Sequence, residues 1–247
     1  MSIFSNSEIS KDYFLDRELT IFQPIKGYRA AMDPVFLAAA CPAEEGQDIL
    51  ELGCGVGTAS FCLYRRKKVN LTGVEIQNNY ASLAIRNSRV NNIPMHVEVC
   101  DLLNMTKNIS NKIFDQIIMN PPYYSEGTLS KNSGRNKSMR INGPLSSWLD
   151  EGIKRLKAKG WITIINKPEN LPEILISLNK KVGDIQIKPL TSSEFKVANR
   201  VIIRAQKDSK SITKIYPPLI VHTGQAELKK FSALAKNILR RGYPIIF

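Results

Sequence analysis

The stretch ILELGCGVGTASF, residues 49–61, decides the fold of this chain. An apolar run carries Glu51 near its end, and three glycines follow at alternate positions, Gly53, Gly55 and Gly57. A helical pattern then begins at Thr58. Because glycine has no Cβ, the chain can turn tightly there and pass close to a ligand. The stretch predicts a strand, a tight turn and a helix. The turn either binds a ligand or has a purely structural role.

An α/β sheet is predicted from residue 48 onward, because short apolar runs alternate with segments of helical periodicity. The runs predicted as strands are residues 48–52, 71–76, 95–100, 114–119, 161–166, 184–190 and 199–206. The segments predicted as helices are residues 58–68, 77–91 and 146–159. The short gap between the last two strands favours an antiparallel hairpin over another crossover connection.

Both ends of the chain extend this sheet. Residues 19–33 alternate apolar and polar side chains around a Lys-Gly pair, which predicts a hairpin, and Asp33 is the predicted N-cap of a helix from Pro34 to Ala40. The tail predicts a short strand and an amphipathic helix near 225–240, whose apolar face holds Leu228, Phe231, Leu234, Ala235 and Ile238. We predict three parts: residues 1–45, which pack on the ligand site, a central domain, 46–206, and a basic extension of that domain, 207–247.

The net charge of +13 is unevenly distributed along the chain. Residues 1–100 hold ten basic and eleven acidic side chains, so the remaining residues carry a balance of +14. A neutral half followed by a basic half indicates a catalytic or cofactor site beside a surface that binds a polyanion such as nucleic acid. A solvated basic face is the alternative interpretation.

Composition argues against several other classes of protein. No stretch approaches the roughly 20 apolar residues that cross a bilayer, and the polar N-terminus lacks the apolar core of a secretory signal. The four cysteines form no C-x-x-C pair, and only two histidines are present. We therefore expect a cytoplasmic protein with reduced thiols, no membrane association and no metal site.

Acidic residues end or follow three successive predicted strands. Glu75 comes a little over twenty residues after Glu51, at the place where a carboxylate accepts hydrogen bonds from ribose hydroxyls. Asp101 follows the third strand, where a carboxylate can meet an adenine amine. The G-x-G-x-x-G fingerprint of nicotinamide and flavin sites is broken at Thr58. The carboxyl edge of the sheet is therefore predicted to bind a nucleoside-like ligand of another kind.

The motifs ELGCGVG, GVEI, CDLL and NPPY, in that order, resemble the class I S-adenosylmethionine-dependent methyltransferases. The resemblance covers most of the chain and implies a Rossmann-like, doubly wound sheet of seven strands, the last one antiparallel. More narrowly, LTIFQPIKGYRAAMDPVFLAAA, NPPY and PPLIVHTG resemble bacterial methyltransferases that modify the exocyclic amine of an adenine beside the anticodon of a valine tRNA. This resemblance implies S-adenosylmethionine as the cofactor and tRNA as the substrate, and we expect a monomer.

Cofactor-binding roles follow from the resemblance for a defined set of positions. The set comprises Asp33, Glu51, Gly53, Gly55, Gly57, Glu75, Asp101 and Asn120. Asp33 resembles the family's position that helps hold the methionine end of the cofactor, although a plain helix cap explains it nearly as well.

The catalytic residues are expected in the stretch IIMNPPYYSE, residues 117–126. An adenine amine is a poor nucleophile because its lone pair is delocalised into the ring. The side-chain carbonyl of Asn120 and the backbone carbonyl of Pro121 can accept its two hydrogens and favour a pyramidal nitrogen. Consecutive prolines restrict the backbone, which keeps this geometry rigid. Tyr123 can then stack on a base turned out of its neighbours.

Basic residues of a polar loop, residues 125–143, are the candidates for contacts with RNA phosphates. They are Lys131, Arg135, Lys137 and Arg140. The related enzymes usually end this run with Arg-His, whereas this chain has Arg140 followed by Ile141. This difference from the related enzymes affects how the loop would contact RNA in detail, but the loop keeps its positive charge.

Other functions share parts of this pattern. A protein-glutamine methyltransferase acting on a release factor uses the same Asn-Pro-Pro-Tyr chemistry, but usually carries a larger helical domain before the glycine motif. A ribosomal-RNA guanine-N2 methyltransferase often has Phe or Trp after the prolines. A DNA adenine methyltransferase would need an added recognition domain. The non-enzymatic alternative is an RNA-binding protein with a vestigial cofactor fold, which the intact glycines, acids and Asn120 argue against.

Overall fold

The computed structural model of the protein describes residues 4–122, 143–179, 181–223 and 230–247. Its helices are α1 (Met32–Ala40), α2 (Thr58–Arg66), α3 (Asn78–Asn91), α4 (Lys107–Ser110), α5 (Leu145–Arg155), α6 (Leu171–Leu178) and α7 (Ala233–Arg241). Short 3-10 helices lie at Asn6–Glu8, Leu102–Asn104 and Pro168–Asn170. None of the helices described in these ranges combines the length and apolarity that crossing a membrane requires.

Within the described ranges, the strands form one large sheet and two small antiparallel pairs. The bounds are β1 (Ile9–Phe14), β2 (Leu19–Pro24), β3 (Asp48–Leu52), β4 (Asn70–Glu75), β5 (Met95–Val99), β6 (Phe114–Met119), β7 (Leu156–Asn166), β8 (Val182–Thr191), β9 (Ala198–Lys207), β10 (Lys214–Ile215), β11 (Leu219–Ile220), β12 (His222–Thr223) and β13 (Lys230–Phe231). Strand β1 pairs with β2, and β12 pairs with β13.

The large sheet has the order β5-β4-β3-β6-β7-β9-β8 along its long strands. Strands β3 to β7 run parallel, whereas β9 is antiparallel to both of its neighbours. The predicted doubly wound α/β fold with an antiparallel last strand is therefore confirmed. Over the described residues, the two-residue strands β10 and β11 also pair with β8 and add to the seven predicted strands.

Both faces of the sheet are covered by apolar side chains. Within β3, Ile49 belongs to one buried cluster, while Leu50 and Leu52 belong to the other, because successive side chains of a strand point to opposite faces. The first cluster also contains residues from both ends of the chain, such as Leu15 and Ile245. The boundaries proposed at 45/46 and 206/207 stay predictions.

The N-terminal hairpin lies earlier in the chain than predicted. Strands β1 and β2 are joined by a turn at residues 15–18, where Leu15, Asp16 and Arg17 have positive φ, so the Lys-Gly pair follows the hairpin. The predicted N-cap at Asp33 was also wrong. Helix α1 begins at Met32 with Ala31 at the cap position, and Asp33 lies in the first turn.

Two predicted helices have different bounds in the structure. Helix α5 ends at Arg155, and residues 156–159, predicted as helix, are instead the start of the long strand β7. In the tail, Phe231 lies in β13, and α7 begins only at Ala233 because the Ser232 hydroxyl accepts a hydrogen bond from the Ala235 N–H at 3.0 Å. On the predicted apolar face, Leu234 is half exposed, Ala235 and Ile238 are buried, and Leu228 lies outside the described residues.

Two asparagines of α3 attach the hairpin to the rest of the fold. The Asn87 Oδ1 accepts the Phe22 N–H at 2.8 Å, and its Nδ2 donates to the Phe22 carbonyl at 3.0 Å. Asn91 makes the same two bonds with Thr20. Two residues of a strand span about 6.6 Å, and four residues of a helix rise about 6 Å, so the two pairs match. Asn87 also donates to the carbonyl of Val56, in the glycine turn.

Replacing Asn87 by alanine should destabilise the protein strongly. The substitution removes the side-chain partner of three backbone groups, the part-buried N–H and carbonyl of Phe22 and the buried carbonyl of Val56. We expect the free energy of unfolding in urea to fall by about 2–4 kcal/mol. Arg89→Ala, at an exposed position of the same helix, should change it by less than about 0.5 kcal/mol. Equal effects of the two substitutions would contradict this account of the hairpin.

Candidate active site

A cavity of about 180 Å³ opens at the carboxyl edge of the parallel strands. Most of the residues predicted to bind the cofactor contribute to its wall: Glu51, Gly53, Gly55, Glu75, Asp101 and Asn120. They come from the ends of β3, β4, β5 and β6, which neighbour one another in the sheet in the order β5-β4-β3-β6. The parallel arrangement therefore brings together residues that are distant in sequence.

The glycine turn is fixed by what surrounds it. Gly53 has a φ of +67°, and a Cβ at this position would lie 2.6 Å from the ring of Trp148. Gly57, at the N-cap of α2, has a φ of +84°, and a Cβ there would lie 2.5 Å from the ring of Phe61. Any residue with a Cβ would be strained at both positions, because of the positive φ, and its Cβ would overlap an aromatic ring.

Glu75 ties the end of β4 to the glycine turn. Its two carboxylate oxygens accept backbone hydrogen bonds from the Gly55 N–H at 2.9 Å and from the Gln77 N–H at 2.8 Å. Burial raises the pKa of this carboxyl, and the backbone donors oppose that effect. Each oxygen retains a second lone pair, so the group can still accept hydrogen bonds from the hydroxyls of a ligand.

Glu51 is buried at the end of β3 and points to the same cavity. One of its oxygens accepts hydrogen bonds from the Ser60 N–H at 3.1 Å and from the Ser60 hydroxyl. Burial raises the pKa of Glu51 to about 8, with a smaller contribution in the same direction from Glu75. A cationic ligand in the cavity would favour the charged form of both acids.

Asp101 stands at the third strand end. It is half-buried, and its Oδ1 accepts the Leu103 N–H at 2.9 Å, which caps a short 3-10 helix. Its side chain therefore has a fixed orientation beside the cavity.

Gly57, also predicted to bind the cofactor, is not part of the cavity wall. It shapes the turn that leads into α2 and is not itself exposed to the cavity.

Asp33 is likewise absent from the residues that form the wall, although its neighbour Pro34 contributes. The Asp33 carboxylate forms an ion pair with the guanidinium of Arg200, at 2.8 Å between Oδ2 and Nε. This pair joins α1 to the start of β9. A role for Asp33 at the methionine end of the cofactor stays a prediction.

Asn120 follows β6 directly and reaches the cavity from the side opposite the acids of β4 and β5, beyond β3. Its side-chain Nδ2 donates to the hydroxyl of Tyr28 at 3.1 Å. Pro121 is buried and Pro122 lines the cavity. Tyr123 and the four basic residues Lys131, Arg135, Lys137 and Arg140 lie outside the described residues.

Three aromatic side chains that the sequence did not single out complete the wall: Tyr28, Tyr80 and Trp148. Tyr28 lies in the YRAAMD block, directly after Gly27, and that block was the available signal. Tyr80 and Trp148 lie on α3 and α5, where an aromatic residue in a helical pattern is more often a core residue.

A family model described as methyltransferase small domain matches residues 33–199, which include every strand from β3 to the beginning of β9. The chain belongs to the methyltransferase small domain family. Several curated proteins similar in sequence to this chain are named tRNA1(Val) (adenine(37)-N6)-methyltransferase. The relative from Shewanella frigidimarina is 30% identical over 190 residues, which cover 73% of this chain and 75% of the relative. The relative from Bacteroides fragilis is 25% identical over 160 residues, covering 64% and 68%.

Solved structures show the same fold. A protein described as a predicted O-methyltransferase from Agrobacterium tumefaciens matches with a TM-score of 0.70 and 21% identity, over 86% of this chain and 98% of that chain. A 16S rRNA N2 methyltransferase from T. thermophilus, solved with AdoMet and guanosine, matches with a TM-score of 0.57 and 17% identity, over 81% and 50%. At these identities the likeness supports the Rossmann-like architecture alone.

This methyltransferase uses S-adenosylmethionine as its cofactor, and the residues of the cavity fit that molecule. The hydroxyl of Thr58, at the first position of α2, is buried in the wall and has no hydrogen-bond partner among the residues that the structure describes. Together with the N-terminus of α2 it suits the carboxylate of an amino acid. The acids Glu75 and Asp101 suit ribose hydroxyls and an adenine amine.

Replacing Glu75 by glutamine should weaken cofactor binding. A glutamine has only one acceptor oxygen, so its amide nitrogen must face the N–H of Gly55 or of Gln77. We expect the Kd for S-adenosylmethionine, measured by calorimetry, to rise about 10- to 100-fold. Glu98→Gln, in β5 and outside the cavity wall, should leave the Kd within about twofold. A Kd unchanged by Glu75→Gln would remove Glu75 from the cofactor site.

Glu51 should make the stability of the protein depend on pH. Its pKa of about 8 in the folded protein exceeds the ordinary value of 4.5, so the stabilising effect of the bound proton is complete below pH 4.5 and is lost as the pH rises to 8. Glu51→Gln carries no charge at any pH. Between about pH 5 and pH 8, we expect the unfolding free energy of the wild type to fall by about 3–4 kcal/mol relative to the variant. A constant difference over this range would mean that Glu51 is ionised in the folded protein.

Proposed function

We propose that the protein transfers a methyl group from S-adenosylmethionine to the exocyclic amine of an adenine in tRNA. The observation that carries the proposal is Asn120, a side-chain amide held at the rim of the cofactor cavity and followed by two prolines. The names of the relatives support tRNA as the substrate. They also favour the adenine beside the anticodon of a valine tRNA as the specific target.

The Asn-Pro corner suits the chemistry of a flat nitrogen. When bound, the cofactor supplies an electrophilic methyl carbon. The side-chain oxygen of Asn120 and the backbone oxygen of Pro121 accept the two hydrogens of the amine, which draws the nitrogen toward a pyramidal shape with its lone pair directed into the cavity. Because the amine loses its proton easily once it is methylated, alignment and electrostatics provide most of the rate. No side chain is required as a strong base.

The charge of the chain favours RNA over a protein substrate. The residues after position 100 carry a balance of +14, and a surface of this kind attracts the phosphate backbone. Lys131, Arg135, Lys137 and Arg140 follow the catalytic corner in sequence and are the proposed phosphate contacts. Tyr123, directly after the prolines, is the proposed platform on which the target base stacks.

The proposal is tested by incubating the protein with S-adenosylmethionine, labelled in its methyl group, and total cellular RNA. We expect label in the tRNA fraction and, after digestion, N6-methyladenosine as the labelled nucleoside. Label in N2-methylguanosine would show that the methylated base is guanine and not adenine. Label only in a release factor, supplied in a parallel reaction, would replace RNA by a protein amide as the substrate.

Asn120→Ala should separate catalysis from cofactor binding. The substitution removes the side-chain oxygen that receives the amine, so kcat on tRNA should fall by about 100-fold or more. The Kd for S-adenosylmethionine should change by less than about threefold, because the acids of the neighbouring strands remain. Asn70→Ala, at the start of β4 on the opposite edge of the sheet, should behave as the wild type. Near-normal turnover of Asn120→Ala would end the proposed role.

A further inference from the structure

The hydroxyl of Tyr28 contacts the proposed catalytic amide directly. Its oxygen lies 3.1 Å from the Nδ2 of Asn120, and both side chains form part of the cavity wall. Tyr28 comes from the segment between β2 and α1, far from Asn120 in sequence. The contact therefore links the segment that follows the N-terminal hairpin to the catalytic corner.

The orientation of the Asn120 amide determines whether it can help the reaction. A carboxamide has an acceptor oxygen on one side and a donor nitrogen on the other. An amine substrate presents hydrogens, so only the oxygen is useful in front of it. With Nδ2 donating to Tyr28, the oxygen is the atom directed away from that ring. The opposite orientation would place two donors against the substrate amine.

The hydroxyl of Tyr28 is suited to the role of acceptor. Desolvation of the hydroxyl, and after it the carboxylate of Asp33, raise the pKa of Tyr28 well above its usual range. The hydroxyl therefore stays neutral, and a neutral phenol oxygen can accept a hydrogen bond. A lone pair is then left for the N–H of Asn120.

The backbone of Tyr28 is clamped by Tyr80 of α3. The Tyr28 N–H donates to the Tyr80 hydroxyl at 2.9 Å, and that hydroxyl donates to the Tyr28 carbonyl at 3.2 Å. Gly27 makes this approach possible, since it has a φ of +107° and a Cβ there would lie 2.8 Å from the Tyr80 hydroxyl. The Tyr80 side chain thus satisfies the two backbone groups of Tyr28, which in a β-strand would bond to the backbone of a neighbouring strand.

A second clamp lies two residues further along. The buried side chain of Gln23, in β2, accepts the Ala30 N–H at 2.8 Å and donates to the Ala30 carbonyl at 3.3 Å. Residue 28 is therefore held by α3, and residue 30 by the hairpin. The hairpin itself is attached to α3 through Asn87, so the position of Tyr28 is determined by the folded core.

We infer that Tyr28 is a positioning residue for methyl transfer: its hydroxyl accepts a hydrogen bond from the Asn120 amide nitrogen and so directs the amide oxygen toward the substrate amine. This inference rests on the proposed function, because it presumes a substrate that presents an amine. It gives the segment between the N-terminal hairpin and α1 a part in catalysis that is distinct from RNA binding and from cofactor binding.

Tyr28→Phe tests the inference with the ring kept and only the hydroxyl removed. We expect kcat on tRNA to fall about tenfold, the usual effect of one lost hydrogen bond. The KM for tRNA and the Kd for S-adenosylmethionine should stay within about twofold. Tyr64→Phe removes a hydroxyl from a half-buried ring on α2, outside the cavity wall, and should leave all three constants unchanged. A wild-type kcat for Tyr28→Phe, or a parallel loss of cofactor affinity, overturns the inference.

A double-variant comparison separates positioning from a general structural role. Asn120→Asp places an acceptor oxygen on both sides of the group, so its orientation no longer matters. In that background Tyr28→Phe should cost less than about twofold in kcat. Asn120→Ala, assayed under single-turnover conditions, provides a second background with the same expectation. A tenfold loss in either background would show that Tyr28 acts through something other than the amide of Asn120.

A measurement that needs no substrate distinguishes failure of this inference from failure of the proposed function. In NMR spectra of protein labelled with ¹⁵N-asparagine, the side-chain signals of Asn120 are those lost in Asn120→Asp. Tyr28→Phe should shift these signals and leave those of Asn87 in place. If the wild type methylates no RNA but the shift occurs, the proposed substrate is wrong and the contact stands. Unshifted Asn120 signals overturn the contact itself.

Discussion

The hydrogen bond from the Gly55 N–H to the carboxylate of Glu75 is the interaction on which the site depends. It joins the turn after β3 to the end of β4, and these two strands are parallel neighbours whose ends meet at one edge of the sheet. The turn reaches Glu75 because its glycines adopt left-handed conformations. A carboxylate that would be costly to bury alone is stabilised by backbone donors, and the turn is held open beneath the cavity.

Around this bond the site divides the work between two groups of residues. Glu51, Glu75 and Asp101 provide the acidic wall, which suits a cationic cofactor with hydroxyl groups. Asn120 and the prolines after it provide acceptors for the amine that receives the methyl group. In the sheet, β6 lies directly beside β3, so the cofactor cradle and the proposed substrate corner share a single cavity. Such an arrangement promotes methyl transfer by holding the two reactants in line, without a side chain that first removes a proton from the amine.

Much of this site was predictable from sequence because its parts are local. Glu51, Gly53, Glu75, Asp101 and Asn120 each end or follow an apolar run, and parallel pairing alone brings the ends of such runs together. Tyr28 and Trp148 reach the cavity only through tertiary packing, for which periodicity gives no signal. The hairpin was misplaced because the Lys-Gly pair resembles a turn, whereas three non-glycine residues with positive φ, Leu15 to Arg17, form the actual one. Asp33 resembled an N-cap but is paired with Arg200, from a strand that sequence reasoning did not connect with it.

The most direct test of the central claim is a crystal structure of the protein with S-adenosylhomocysteine and adenosine bound together. The account predicts the adenosine amine at about 3 Å from the side-chain oxygen of Asn120. It also predicts that the sulfur of the cofactor product faces that amine across the cavity, with the ribose hydroxyls at Glu75. A sulfur atom far from the Asn-Pro-Pro corner, or an amine held by other groups, would contradict the account.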